Sequence, residues 1–145
     1  MKIELRDTPF DPLDEQRRYQ DSLTELKGRY GATASFIGTM RDLNEGDRVR
    51  GMVLEHYPGM TERELERLVG EAEQRWPLLA TLVIHRIGQL YPDEPIVLVA
   101  VWSAHRAAAF DACRHIMEVL KSRAPFWKKE TLTEGERWVA SNTPG

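Results

Sequence analysis

Two apolar runs rich in β-branched residues, at positions 80–90 and 95–102, constrain this chain more than anything else in it. Val, Ile and aromatic side chains suit a pleated, packed surface, and Tyr91-Pro92-Asp93-Glu94 between the runs carries turn chemistry. The pair therefore reads as a hairpin or near-hairpin of central strands, and the flanking segments have to pack on it. Ser103 then stands where a helix N-cap belongs. Phe110, Cys113, Met117 and Leu120 recur at spacings of three and four, which predicts a helix with one buried stripe through Lys121, stopped before Pro125.

Residues 11–26 place Leu13, Tyr19, Leu23 and Leu26 among charges, the pattern of an amphipathic surface helix. The Pro58-Gly59 turn is followed by Thr61 and Glu64 at capping-box spacing, which opens a further helix running to about Trp76, before Pro77. Residues 31–40 and 51–57 read as strands. The polar run 41–50 between them contains Asn44-Glu45-Gly46-Asp47 and is expected to be a mobile loop. Short strands are expected at 126–131 and 137–139 around a Glu134-Gly135 turn. With mixed elements and no Gly-rich phosphate loop, the predicted class is α+β: a mainly antiparallel sheet packed with three amphipathic helices in a single domain over residues 1–145.

Length and composition agree with that reading, since 145 residues that are 41% hydrophobic and 30% charged suffice for one compact domain with a core. The mixed-charge start Met1-Lys2-Ile3-Glu4-Leu5-Arg6 is unlike a signal peptide, and no apolar run approaches the roughly 18 to 20 residues that span a bilayer. A cytoplasmic protein without membrane contact is expected. The single Cys113 excludes an internal disulfide, and His56, His85, His105 and His115 show no zinc-ligand spacing, so neither metal nor cofactor is expected.

Charge is unevenly placed. Residues 103–129 carry six Lys/Arg against Asp111 and Glu118, within a protein of formal net charge -3. Segregated positive charge on an acidic chain suggests a local anion site rather than a surface that tracks nucleic acid. One site is too small to hold all of it. On a straight helix the fifteen residues from Arg106 to Lys121 span roughly 22 Å at about 1.5 Å per residue. Either the two ends serve different sites, or the N-terminal end of one subunit meets the C-terminal end of another in a two-fold dimer.

The residue types at those ends allow two readings each. A helix first turn offers unpaired N–H groups, so Ser103-Ala104-His105-Arg106 could hold a phosphate or carboxylate with Arg106 forking onto it; equally, Ser103 could simply cap the helix and Arg106 be solvated. Lys121 and Lys128 could lower one another's pKa towards proton transfer, or be two surface lysines. Cys113 lies on the apolar stripe and reads as core rather than as a sulfur carrier. Trp127, Trp138, Phe126 and Tyr57 read as core more readily than as a stacking platform. Within the 41–50 segment only Arg41, at the strand exit, is a plausible ligand contact.

Five separated strings, Phe36 to Arg41, Leu54 to Thr61, Ile84 to Gly88, Ser103 to Arg106 and Leu120 to Lys128, together resemble the large, catalytic subunit of molybdopterin synthase. Order and spacing match from about Phe10 to Val139. The resemblance implies an enzyme that inserts two sulfurs into cyclic pyranopterin monophosphate to make the dithiolene of molybdopterin. It implies a homodimer within a heterotetramer, flanked by a small ubiquitin-like sulfur-carrier subunit whose C-terminal Gly-Gly thiocarboxylate is the donor. It further implies that Lys121 and Lys128 are catalytic and that Thr39, Met40 and Arg41 line the pterin pocket. His105 and Arg106 would bind the substrate phosphate or a nearby anion, and Lys129 and Glu130 would extend the pocket wall. The chain departs from the family at Ala140-Ser141-Asn142, where members can carry an arginine. The alternatives are a non-catalytic anion-binding scaffold that recruits the small subunit, which retention of both lysines disfavours, and single-strand nucleic-acid binding through Trp127, which the overall charge disfavours.

Overall fold

The computed structural model describes residues 1–132 and 135–139. Its framework is a four-stranded sheet in the order β1-β5-β7-β2, formed by β1 (Lys2–Arg6), β2 (Ala32–Thr39), β5 (Leu78–Arg86) and β7 (Pro95–Ser103). The two apolar runs are its centre, paired antiparallel with Ile84 opposite Leu98. Side chains alternate across a strand, so an unbroken apolar run implies cover on both faces. Val97, Val99 and Val101 point to one core with Leu65, Val69, Ala109, Cys113 and Ile116, from α2 (Met60–Arg75) and α3 (Arg106–Arg123). Leu98, Ala100 and Trp102 point to the other, closed by Tyr19 and Leu23 from α1 (Pro12–Ser22) and its end. The α+β class and the three helices expected from the sequence are observed.

β1 was not anticipated. It offers only Ile3 and Leu5 as apolar positions, too short an alternation to be distinctive, and it pairs parallel to β5, so the sheet is mixed. A second sheet runs β3-β4-β8-β9, built from β3 (Leu43–Asn44), β4 (Asp47–His56), β8 (Phe126–Leu132) and β9 (Gly135–Trp138), with β6 (Gly88–Leu90) also pairing with β4. The expected loop 41–50 is thus largely a hairpin. Glu45 (φ 53°) and Gly46 (φ 81°) both take left-handed conformations, which a two-residue turn matched to strand twist requires. The turn signal was sound, but exposed Asp47, Arg48 and Arg50 disguise the strand that follows.

The run 80–90 is likewise two strands. Gly88 at φ 81° bends the chain after Ile87, sending β5 into the first sheet and β6 into the second. Two expected caps also move. Gly59 precedes α2, and its N–H donates to the Glu62 carboxylate at 3.1 Å. The Thr61 hydroxyl is instead buried, accepting from the Tyr57 N–H at 3.0 Å and donating to the Pro125 carbonyl at 3.2 Å. Ser103 ends β7 and donates to the Pro77 carbonyl at 3.0 Å, leaving His105 as the N-cap of α3 with no side-chain capping bond. The first helix ends at Ser22, with a 3₁₀ turn Thr24–Leu26 completing the expected 11–26 segment. No helix among the described residues is long and apolar enough to cross a membrane. Glu134, Ala140, Ser141 and Asn142 lie outside the described residues.

Candidate active site

Where the two sheets meet, the chain builds a cavity of about 570 Å³ lined by more polar residues and a more apolar one of about 290 Å³ that share Thr39, Ile96, Lys121 and Lys128. Each lysine arrives for a local reason. Lys121 stands in the last turn of α3, where a cation complements the helix dipole. Lys128 follows Pro125, which ends the helical stretch, and alternation along β8 puts it on the same face as Phe126 and Glu130. Thr39 leaves β2 at a register shift between Gly38 and Thr39, the kind of irregularity that re-aims a strand end. Met40 is pinned at both backbone groups, its N–H donating to the Glu94 carbonyl and its carbonyl accepting from the Asp93 N–H, each at 2.9 Å. Arg86, almost wholly buried, donates to the Gln89 carbonyl at 2.7 Å and lies 3.8 Å from the Glu94 carboxylate.

The electrostatics of the shared wall favour proton chemistry. Burial pushes the Lys128 ammonium below the ordinary lysine range, the charge of Lys121 adds to this, and Glu130 opposes it. Lys121 is lowered for the same reason, by burial first and by Arg41 second, with Glu118 opposing. Both are half-buried, so each can serve a ligand and still exchange protons with solvent. Glu130 is buried and accepts from Asn44 Nδ2 and Arg137 Nε, both at 3.0 Å, which places its carboxylate in a cross-strand network at the cavity edge.

Of the residues singled out from the sequence, Thr39, Met40, Arg41, Lys121, Lys128 and Glu130 line the polar cavity together. Lys129 does not. It occupies the opposite face of β8, paired with Glu136 at 2.9 Å and lying over the Trp138 ring. His105 and Arg106 are exposed at the start of α3 and line neither cavity, as the length of an 18-residue helix requires. Cys113 is buried, a free thiol pushed up to about 11. Trp127 and Tyr57 are exposed and pack edge to face on one another, 4.5 Å between centroids, outside the expected core. Sequence reasoning missed His85 and the wall residues Asn44, Met52 and Ile96, because only the meeting of two sheets brings them to one place. Among the described residues no cluster of His, Cys, Asp or Glu could hold a metal.

This geometry has relatives. Residues 7–123 match the family model described as MoaE protein. The chain belongs to the MoaE family. It is 52% identical over 139 residues to the molybdopterin synthase catalytic subunit of Pseudomonas aeruginosa, covering 96% of this chain and 90% of that protein. The solved structure of a molybdopterin biosynthesis MoaE protein from Burkholderia ambifaria superposes with a TM-score of 0.79 at 44% identity, covering 99% of this chain and 92% of that one. A crystal structure of molybdopterin synthase from Staphylococcus aureus gives 0.81 at 29% identity, covering 96% of each chain. The resemblance drawn from the five sequence strings is thereby confirmed, and this MoaE chain presents a lysine pair in a cavity of ordinary small-molecule size.

Proposed function

We propose that this MoaE chain is the catalytic subunit of a molybdopterin synthase. In this reading it transfers sulfur from the C-terminal Gly-Gly thiocarboxylate of a small ubiquitin-like subunit to cyclic pyranopterin monophosphate. The observation that carries the proposal is the placement of Lys121 and Lys128, both with lowered pKa, on the wall shared by a polar and an apolar cavity. The polar cavity, with Thr39, Arg41 and Asn44, suits a pterin edge; the smaller apolar one suits a tail that ends in two residues without side chains. At their junction the lysines stabilise negative charge and move protons as the thiocarboxylate attacks and the substrate ring opens. Cys113 is too buried to be the sulfur source, in keeping with an imported donor.

The proposal includes a homodimer within a heterotetramer. Arg106 and His105 stand roughly 22 Å from Lys121 along α3, so they bind substrate phosphate only if a second subunit presents them to the pocket. Two features favour such a partner: β2 is an edge strand of its sheet, and Phe110 beside it is 67% exposed. The test is turnover with thiocarboxylated small subunit and pterin precursor. Lys121→Ala and Lys128→Ala are each expected to lower dithiolene formation by about 100-fold or more, the range of a lost proton-transfer group. Wild-type protein that binds the small subunit tightly without turnover would favour a scaffold instead.

A further inference from the structure

His85 is a titratable residue of the cavity wall to which the lysine reading gives no task. It sits near the end of β5, 9% exposed, and lines the apolar cavity with Lys121 and Lys128. Its ring lies flat on Phe126, centroids 4.1 Å apart and planes 11° from parallel. Nδ1 is 2.7 Å from the Arg86 carbonyl oxygen. A carbonyl can only accept, so Nδ1 carries a proton, and in the neutral ring Nε2 keeps its lone pair.

The surroundings hold that tautomer. Phe126 and Lys128 are two residues apart on one face of β8, so the side chain beside the stacking partner is a lysine. Lys121 approaches from α3, while the cross-strand neighbours Leu5 on β1 and Val97 on β7 are apolar. Burial above all, with the charges of Lys128 and Lys121 adding and the bond to the Arg86 carbonyl opposing, disfavours the imidazolium, and the imidazole pKa falls to about 4. A neutral acceptor with a fixed orientation is thus set beside Lys121 and Lys128, with Glu130 one step beyond Lys128 on the same face of β8.

We propose that His85 is a positioning residue for Lys128: its unprotonated Nε2 accepts a hydrogen bond from the Lys128 side chain as substrate fills the cavity, keeping Nζ aimed at the reacting atoms. Hydrogen bonds of this kind tighten on binding, and one made to a charged donor fixes its direction. The contact with Lys128 and its kinetic consequence rest on the sulfur-transfer reading above; the tautomer does not.

His85→Phe keeps a flat ring on Phe126 and removes the acceptor, while His85→Gln keeps an acceptor without the ring. With a folded His85→Phe protein, kcat is expected to fall roughly 10- to 100-fold, the value of one hydrogen bond to a charged group, with KM within about twofold. The limb of the rate profile that reports Lys128 should move to lower pH, because the lone pair that favours the ammonium is gone. His85→Gln should recover part of kcat. Wild-type kcat and an unmoved limb in His85→Phe would reduce His85 to packing and overturn the proposal. Nitrogen NMR of the imidazole tests it without turnover or a His85 variant. An unprotonated Nε2 at neutral pH whose resonance, with the pterin precursor bound, shifts in Lys128→Ala supports it; a protonated Nε2, or a resonance that with precursor bound is indifferent to that substitution, overturns it.

Discussion

At Cys113 burial pushes the thiol up to about 11, with Sγ 3.8 Å from the Val99 carbonyl. A protonated, covered thiol is a poor nucleophile, so iodoacetamide at mildly alkaline pH is expected to leave native Cys113 unmodified and to label it quickly in urea; fast native labelling would contradict its core placement. His85 gives a second expectation, with a definite sign. Its pKa is about 4 folded against an ordinary 6.5, so between these values the unfolded chain binds the extra proton. Stability is therefore expected to drop as pH falls from about 6.5 to about 4, by on the order of 3 kcal/mol from this group, and His85→Phe should flatten that part of the curve in urea titrations. These two residues differ in how well their strings announce them. Cys113 lies on a stripe with helical period, so its burial was legible; nothing around His85 in the chain reveals that Phe126 and two lysines will surround it.

Elements were legible where period and punctuation agree. The α1 start is fixed by Asp11, whose carboxylate accepts from the Leu13 and Asp14 N–H groups at 3.1 and 3.2 Å, and the stop of α3 by Pro125. They were misread where a side chain finds a distant partner: Ser103 and Thr61 look like caps but bond Pro77 and Pro125 across the fold. Two glycines test the same point. A Cβ at Gly31 would come within 2.5 Å of the Ala104 carbonyl oxygen, so Gly31→Ala must displace the turn that carries His105 and Arg106, at a cost of roughly 1–3 kcal/mol. Gly70, inside α2, meets nothing closer than the Met1 side chain at 3.9 Å, so Gly70→Ala is expected to gain about 0.5–1 kcal/mol. Denaturant midpoints of the two variants should move in opposite directions. In the second sheet, Glu130 ties β8 to Asn44 on β3 and Arg137 on β9. Glu130→Ala removes a buried, paired charge and is expected to lower stability by about 3 kcal/mol in the same measurement.

For the whole molecule the proposed shared pocket makes a quantitative forecast. If Arg106 of one subunit and Lys121 of the other build each site, a mixed dimer of Arg106→Ala and Lys121→Ala subunits keeps one pocket intact. Free mixing of the two inactive proteins should then restore about a quarter of wild-type turnover, and no recovery would place the two ends of α3 in separate sites. The separation itself was readable beforehand, because helix rise is fixed by backbone geometry whatever surrounds it. So were the central strands and most of each helical stripe, although Leu13 and Phe110, set on those stripes by spacing, stand exposed; Thr39, Met40, Arg41, Lys121 and Lys128 were singled out by the five strings, and the structure brings them to one cavity. What tertiary structure alone decided is which of these meet. The parallel pairing of β1, the bend at Gly88 that divides one apolar run between two sheets, and the turning of Lys129 away from Lys128 all depend on contacts between residues far apart in the chain. Such contacts are selected by the packing of whole faces, and a local pattern of residues carries no record of the face it will meet.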